Sequence, residues 1–288
     1  MTDEFTTNKA MILARGLGTR MQKQADGVRL DTATADLAAK GAKGLISIGE
    51  GRPFLDYSLQ VLMDAGIRDF CLVVAPGTSM LRSYYEAVGE SLTNGRISFA
   101  VQDEPLGTAD AVSSGRKWAE GNPFIVVNCD NFYTPAAVLA LISSPAPATV
   151  AFEREALIAN SNIPAERIRR FAVIDFDQSG HLRRIVEKPD RPDDYAHDGK
   201  LYVSMNCFLF TADIFEACNA IEPNPIRKEY ELPTAVQYTI EQMGLTYQAV
   251  KCTEGVLDMT GRDDIESIRR ILADHEVRFD APAKSENV

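Results

Sequence analysis

Five short apolar runs recur along the chain: AMILA (10–14), FCLVVA (70–75), ISFAVQ (97–102), FIVVNC (124–129) and ATVAF (148–152). Unbroken runs of this length fit strands covered on both faces, as in a parallel sheet, and the longer spacers leave room for crossover helices. The spacer from Leu55 to Gly66 supports this, since Leu55, Leu59, Leu62 and Met63 fall on one helical face and the pattern stops at a glycine. The first half therefore reads as doubly wound. The second half differs. RFAVIDFD (170–177), a turn at Gln178-Ser179-Gly180 and HLRRIVEKP (181–189) read as a hairpin, and LYVSMNCFLF (201–210) adds a strand after a polar Pro- and Asp-rich stretch. The expectation is an α/β fold with a Rossmann-like, doubly wound, mostly parallel central sheet and an inserted mixed β region. It is read as one domain over 1–275, with halves meeting near residue 150, followed by a disordered tail over 276–288.

Composition narrows the class of partner. With 30 basic against 41 acidic residues the net charge is −11, which opposes nonspecific binding to nucleic acid or anionic lipid. No stretch approaches the roughly 20 apolar residues of a membrane span, and the start MTDEFTTNKA lacks the basic and apolar segments of a secretion signal. A cytoplasmic protein is expected. Five scattered cysteines without a C-x-x-C pair argue against a zinc site or a disulfide framework.

The first strand runs into Arg15-Gly16-Leu17-Gly18-Thr19-Arg20-Met21, a glycine-rich turn where open α/β sheets bind phosphates. A plain βα turn would look similar. There is no G-x-x-x-x-G-K-[ST], and the third dinucleotide-binding glycine would fall at Met21, so two common phosphate motifs are excluded. Asp130 follows a buried strand at the edge where α/β sites gather; it calls for a cation or caps the next helix. Asp258, inside VLDM, must be paired, capping or metal-bound. Lys188 ends a strand, where a solvated edge lysine is the plain reading. Arg20 and Lys43 could be ordinary surface charges, yet an acidic protein that binds a phosphorylated ligand must concentrate cations at such a loop. His181, His197 and His275 lack metal-ligand spacing, and no Ser or Cys nucleophile motif such as G-x-S-x-G occurs.

LARGLGTRM resembles the nucleotide-binding loop of the sugar-1-phosphate nucleotidyltransferases, which include the glucose-1-phosphate thymidylyl-, uridylyl- and adenylyltransferases. The similarity continues in order through KGLISIGEGRPFLDYSLQVLMDAGI (43–67), QDEPLGTADAV (102–112), NCDN (128–131), IVEKP (185–189), VSMNCFLF (203–210) and VLDMTGRDD (256–264). The strand over 203–210 is similar to one found in ADP-glucose pyrophosphorylases. The resemblance implies the fold type of the nucleotide-diphospho-sugar transferases and transfer of a nucleotidyl group from a nucleoside triphosphate to a sugar 1-phosphate. It assigns the nucleotide to Leu13, Ala14, Arg15, Gly16, Gly18, Thr19, Arg20, Gln102, Gly107 and Thr108, and a triphosphate-binding role to Lys43. It assigns the sugar phosphate to Asn131, Ala172, Glu187, Lys188, Ser204 and Asn206, and Mg2+ to Asp130 and Asp258. Arg20, Lys43, Asp130 and Lys188 carry the chemistry on this reading. A homo-oligomer is compatible with it.

Several positions depart from the family's pattern. Arg15, Cys129, Ala172 and Asn206 stand where small residues or glycines are usual, Thr260-Gly261 inverts the usual Gly-Thr, and the segment from Gln22 to Ala42 is longer than expected. Arg15 either folds its guanidinium toward the outer phosphates or points away to pair with a surface acid. Two alternatives remain open at this stage. One is a cytidylyl- or molybdopterin-type transferase with a non-sugar acceptor, and the other is a noncatalytic sensor of nucleotides or sugar nucleotides.

Overall fold

The structure, a computed structural model, describes residues 7–23, 30–49 and 51–281. Its strands are β1 (Lys9–Leu13), β2 (Ser47–Gly49), β3 (Arg52–Pro53), β4 (Asp69–Val74), β5 (Arg96–Val101), β6 (Phe124–Asn128), β7 (Asn131–Tyr133), β8 (Ala148–Glu153), β9 (Val173–Phe176), β10 (Leu182–Val186), β11 (Tyr202–Phe210), β12 (Gln248–Cys252) and β13 (Val256–Asp258). Nine of them form one sheet. Its main path runs β10-β9-β11-β6-β1-β4-β5, with β8 on β11 and β12 on β8.

Alternation along the strands explains the unbroken apolar runs. Ala10, Ile12, Phe70, Leu72, Ile125 and Val127 pack into one core, while Met11, Cys71, Val73, Phe124 and Val126 pack into another on the opposite face. The helices Phe54–Asp64, Met80–Ser91, Pro135–Ile142 and Asp264–Ile271 contribute to the first core. Thr108–Ser114, Ile214–Ala220 and Leu232–Glu241 contribute to the second. Both faces of the sheet are thus covered, and the fold is doubly wound as the sequence implied. All five cysteines are free and buried.

The order β5-β4-β1-β6 is parallel throughout, and the chain moves outward from β1 to β5 before returning on β1's other side as β6. That reversal places a crevice at the C-terminal ends of β1 and β6, where open α/β sheets bind ligands. Beyond β6 the sheet turns mixed. β11 runs antiparallel to β6, β8 and β9, and the expected hairpin appears as β9 and β10. The inserted strands are a continuation of the first sheet.

Three expectations change. The run ISFAVQ falls mostly in β5 (Arg96–Val101), but that strand lies at the sheet's edge with only Ala100 of its six residues buried, so its apolar character does not reflect cover on both faces. The expected strand over 170–177 is confined to Val173–Phe176, and Arg170 belongs to the turn after a short helix, Ala165–Ile168. Part of the expected tail is packed. Val277 and Phe279 pack against the core, and Arg52 donates to the Phe279 carbonyl at 3.0 Å, which fastens the chain to the start of the helix Phe54–Asp64. The remaining tail (282–288), the polar start over 1–6 and residues 24–29 of the long Gln22–Ala42 segment lie outside the described residues. No helix among the described residues is long and apolar enough to cross a membrane.

Candidate functional site

The glycine loop leaves β1 at Leu13, and its path is set by close backbone contact. Gly18 has φ +60, and a Cβ there would lie 2.4 Å from the Gly41 carbonyl oxygen; Gly41 has φ +69 and would place its own Cβ 2.4 Å from the Leu17 carbonyl oxygen. Only glycines let these segments touch. The contact brings Lys43, two residues on, toward the end of β6, where its Nζ lies 2.7 Å from Asp130 Oδ2. Gly16 is different. Its φ needs no glycine, and a Cβ there would meet nothing within 4 Å, so the small residue leaves room over the backbone rather than relieving a clash inside the protein.

Arg15 follows neither expected course. Its Nε donates to the Gln102 carbonyl and its Nη2 to the Asp103 carbonyl, each at 3.2 Å, which straps the glycine loop to the segment after β5. Two backbone acceptors satisfy a guanidinium fork that would otherwise face solvent. The buried Gln102 in turn donates to the Gly107 carbonyl at 3.0 Å and to Asp110 Oδ2 at 2.7 Å. Thr108 Oγ1 accepts from the Leu232 amide, and Gly107 at φ +124 lies against Tyr230. Leu13, Ala14, Arg15, Gly16, Gly18, Thr19, Gln102, Gly107 and Thr108 are therefore gathered on the β1 and β5 side, largely through backbone ties.

Asp130 sits directly after β6. The capping alternative fails, because Thr134 caps the next helix by accepting from the Ala137 amide at 3.3 Å. Instead β7 pairs antiparallel with β13, setting Asp258 opposite Asn131, while the Met259 amide donates to the Asp130 carbonyl at 2.8 Å. Register alone thus carries Asp258 across more than a hundred residues to Asp130. The Asn162 side chain fixes it there, accepting from the Asp258 amide at 2.8 Å and donating to its carbonyl at 3.0 Å. Thr260 Oγ1 donates to Asp258 Oδ2 at 2.8 Å, and Arg167 Nη2 stands 3.2 Å from the same oxygen. Burial first, and then the Asp130 charge, push the Asp258 carboxyl up to about 6, against the opposing pull of Thr260, Arg167 and Lys43. Asp264 is also raised by burial, although it accepts from the Gly261 and Thr260 amides. The inverted Thr260-Gly261 pair therefore supplies a hydroxyl to one acid and two amides to the other.

A cleft of about 600 Å³ opens beside the two aspartates. Of the sequence-derived site residues, Arg20, Asp130, Asn131, Ser204, Asn206 and Asp258 line it. Ser204 and Asn206 reach it through a bulge in β11, where the register against β8 shifts between Ser204 and Phe208 and Asn206 adopts φ +54. Asn tolerates the left-handed region better than most residues, which explains how it replaces the usual glycine. Ala172 is buried, and its carbonyl accepts from the Ser204 amide at 2.9 Å. Glu187 and Lys188 are not among the residues lining this cleft. Both are exposed past the end of β10, Glu187 lies 3.8 Å from Arg227, and Lys188 has φ +45.

The sequence reading missed Asn162, Arg167, Arg170 and Phe171. The signal was the cation run Arg167-Ile168-Arg169-Arg170 in an acidic chain, which was partly absorbed into the hairpin strand. No cluster of three or more His, Cys, Asp or Glu side chains suited to a metal ion occurs among the described residues.

Comparison with known proteins follows this geometry closely. The family model described as Nucleotidyl transferase matches residues 9–259. A glucose-1-phosphate thymidylyltransferase from Streptomyces griseus is 29% identical over 234 residues, covering 81% of this chain and 57% of that protein. One of the same description from Streptomyces antibioticus is 29% identical over 287 residues, covering 97% of this chain and 70% of that protein. The chain thus spans little more than half the length of the first relative. Among solved structures, a UDP-glucose pyrophosphorylase complexed with UDP-glucose superimposes with a TM-score of 0.67 at 16% identity, covering 93% of this chain and 99% of that one, which is a likeness of fold.

Proposed function

The chain belongs to the nucleotidyl transferase family, and from that premise we propose that it transfers a nucleotidyl group from a nucleoside triphosphate to a sugar 1-phosphate and releases pyrophosphate. The observation that carries this reading is the convergence of Lys43, Asp130 and Asp258 at the end of β6, beside the glycine loop and a polar cleft. In the proposed reaction an oxygen of the acceptor phosphate forms a bond to the α-phosphorus, and the bond from that phosphorus to the β-phosphate oxygen breaks. The electron pair leaves with pyrophosphate. A phosphate monoester is already ionised near neutral pH, so no general base is required, and the work is positioning and charge neutralisation.

Each part of the chain has a task on this reading. The loop amides near Gly16 offer donors to the triphosphate in a place with no side chain above them. Arg20 and Lys43 supply positive charge to the departing pyrophosphate. Arg15 holds the nucleotide side of the loop against the Gln102 segment. Asn131, Ser204 and Asn206 offer amide and hydroxyl groups to the sugar. Two oxygen-donor carboxylates, one raised by burial and then by the other's charge, suit a divalent cation such as Mg2+, which when bound would screen the facing phosphates. A cytoplasmic setting accords with a reaction on free nucleotides.

A matrix of nucleoside triphosphates against sugar 1-phosphates, read by pyrophosphate release, tests the proposal. Glucose 1-phosphate with a thymidylyl donor is the first pair to try, after the names of the two relatives. Release that requires both substrates is expected. Release with the triphosphate alone, or with no acceptor in the panel, contradicts the proposal.

A further inference from the structure

One long-range tie joins the two sides of the site. Arg262 Nε donates to the Met21 carbonyl at 3.1 Å, across 241 residues of chain. At its own end Arg262 follows Thr260 and Gly261, whose amides donate to Asp264 Oδ2 at 2.9 and 2.7 Å, while Thr260 Oγ1 donates to Asp258 Oδ2. These bonds draw the backbone from Asp258 to Asp264 into one compact turn. Arg262 therefore leaves the turn at a set place relative to Asp258. It is half-buried and is not among the residues lining the cleft, so what it does there it does through Met21.

At the other end, Met21 is fully buried and belongs to the helix Thr19–Gln22, which continues the glycine loop. That helix has four residues, too few to hold its shape by its own hydrogen bonds. Met21 lies in its last turn, where carbonyls have no partner within a helix, and an arginine side chain is a suitable outside donor. Arg269, on the following helix Asp264–Ile271, donates to the Ser47 carbonyl from Nε and Nη2 at 3.1 and 3.0 Å and to Thr34 Oγ1 at 3.2 Å. The same C-terminal stretch thus holds the chain at Met21, within the long Gln22–Ala42 segment and again beyond Lys43.

What depends on this short helix is the placement of positive charge. Arg20 directly precedes Met21, is exposed and lines the cleft, and its side chain makes no hydrogen bond or ion pair among the described residues. Its guanidinium is placed by the backbone of the helix. Gly18, just before the helix, packs on Gly41, the contact that brings in Lys43. A shift of the helix would therefore displace both cations assigned to the outer phosphates, and small displacements of positioning groups are costly in a transfer that runs on alignment. Resting on the nucleotidyl-transfer reading for the identity of the ligand, we propose that Arg262 is a positioning residue for the triphosphate. It locks the helix that carries Arg20 to the turn that carries Asp258, so the cations and the acid pair keep one spacing.

Calorimetry with thymidine triphosphate and thymidine monophosphate tests this on wild type, Arg262→Gln and Arg262→Met, at a temperature where circular dichroism shows each folded. Glutamine loses the charge but carries an N–H donor at the same distance along the side chain as Arg262 Nε, whereas methionine puts a methyl group there. Triphosphate affinity should fall about tenfold in Arg262→Met and less than about threefold in Arg262→Gln, while monophosphate affinity changes less than about twofold in both. Equal triphosphate losses in the two variants would show that the charge acts at a distance and would overturn the tie. So would unchanged triphosphate affinity in Arg262→Met, equal losses for both nucleotides, or a wild type that binds the triphosphate no better than the monophosphate. If Arg262→Met does not fold, a tenfold loss in Arg262→Gln still overturns it. Pyrophosphate release by the wild type is scored separately: its absence with every substrate pair defeats the transfer reaction, and the calorimetry still decides whether Arg262 positions the triphosphate site.

Discussion

Asp258 should reduce the stability of the ligand-free protein, and Asp258→Asn should therefore raise stability while removing activity. Burial and the neighbouring Asp130 charge lift this carboxyl from 3.8 to about 6. At neutral pH such a displacement corresponds to a penalty of roughly 3 kcal/mol for keeping the group ionised, at about 1.4 kcal/mol per tenfold change in its ionisation equilibrium. Asparagine retains an acceptor for Thr260 Oγ1 but leaves Arg167 with Asp264 alone, for which about 1 kcal/mol is a fair deduction. A net gain of about 2 kcal/mol remains, or a rise in Tm of about 4–8 °C for a domain of this size. The sign follows from the raised folded pKa. Between the unfolded value of 3.8 and about 6 the folded protein holds a proton that the unfolded chain releases, so raising the pH through that window destabilises the wild type and not the variant. The advantage of Asp258→Asn should be smallest near pH 4, grow up to about pH 6 to 7 and level off above. Thermal unfolding across this range without divalent ions measures it, and adding Mg2+ should raise Tm for the wild type far more than for the variant. A variant less stable than the wild type at pH 7, or an advantage independent of pH, would refute the reasoning.

Four further substitutions have distinct signatures. Gly18→Ala must place a Cβ 2.4 Å from the Gly41 carbonyl oxygen at φ +60, so thermal unfolding should show a loss above about 2 kcal/mol, whereas Gly16→Ala should leave Tm unchanged and weaken only triphosphate binding. Arg15→Ala removes two donations to backbone carbonyls and should cost under about 1 kcal/mol of stability. Because the strap lies on the base side, nucleoside monophosphate and triphosphate affinities should fall together by titration; a loss confined to the triphosphate would place the guanidinium on the outer phosphates instead. Asn162→Ala deletes both hydrogen bonds that seat the Asp258 backbone, for about 1–3 kcal/mol of stability by denaturant unfolding, together with a fall in kcat at temperatures where the variant is fully folded. Full kcat in a folded Asn162→Ala would show that the seat of Asp258 does not matter to turnover.

The sequence revealed elements whose signals are local. Alternation within β1, β4 and β6 carries apolar side chains to two cores, and an unbroken run is what two covered faces look like in one dimension. The same logic overreached at β5, because edge position depends on the order of strands in the sheet and leaves no trace in ISFAVQ itself. Asp130 and Asp258 could be singled out as acids in apolar surroundings, but their meeting depends on the β7 and β13 register. Lys43 meets Asp130 through the mutual approach of Gly18 and Gly41, a contact invisible without coordinates. Asn162 was missed for the same reason. A single asparagine carries no spacing signal, and although Arg167 opens a cation run, the importance of both rests on contacts about a hundred residues away along the chain. Lys188, which the motif resemblance names, stands exposed after β10 at φ +45, a backbone conformation its sequence does not announce.

The central claim is that this chain moves a nucleotidyl group rather than hydrolysing or merely binding nucleotides. Incubation of wild type and Asp130→Asn with sugar 1-phosphate and a nucleoside triphosphate labelled at the α-phosphorus tests it most directly. The account expects the label in a sugar nucleotide, with one pyrophosphate released per labelled product, and at least about a tenfold loss of rate in the variant. Label recovered as free nucleoside monophosphate, label left in the triphosphate for every sugar phosphate offered, or an unimpaired Asp130→Asn would contradict it.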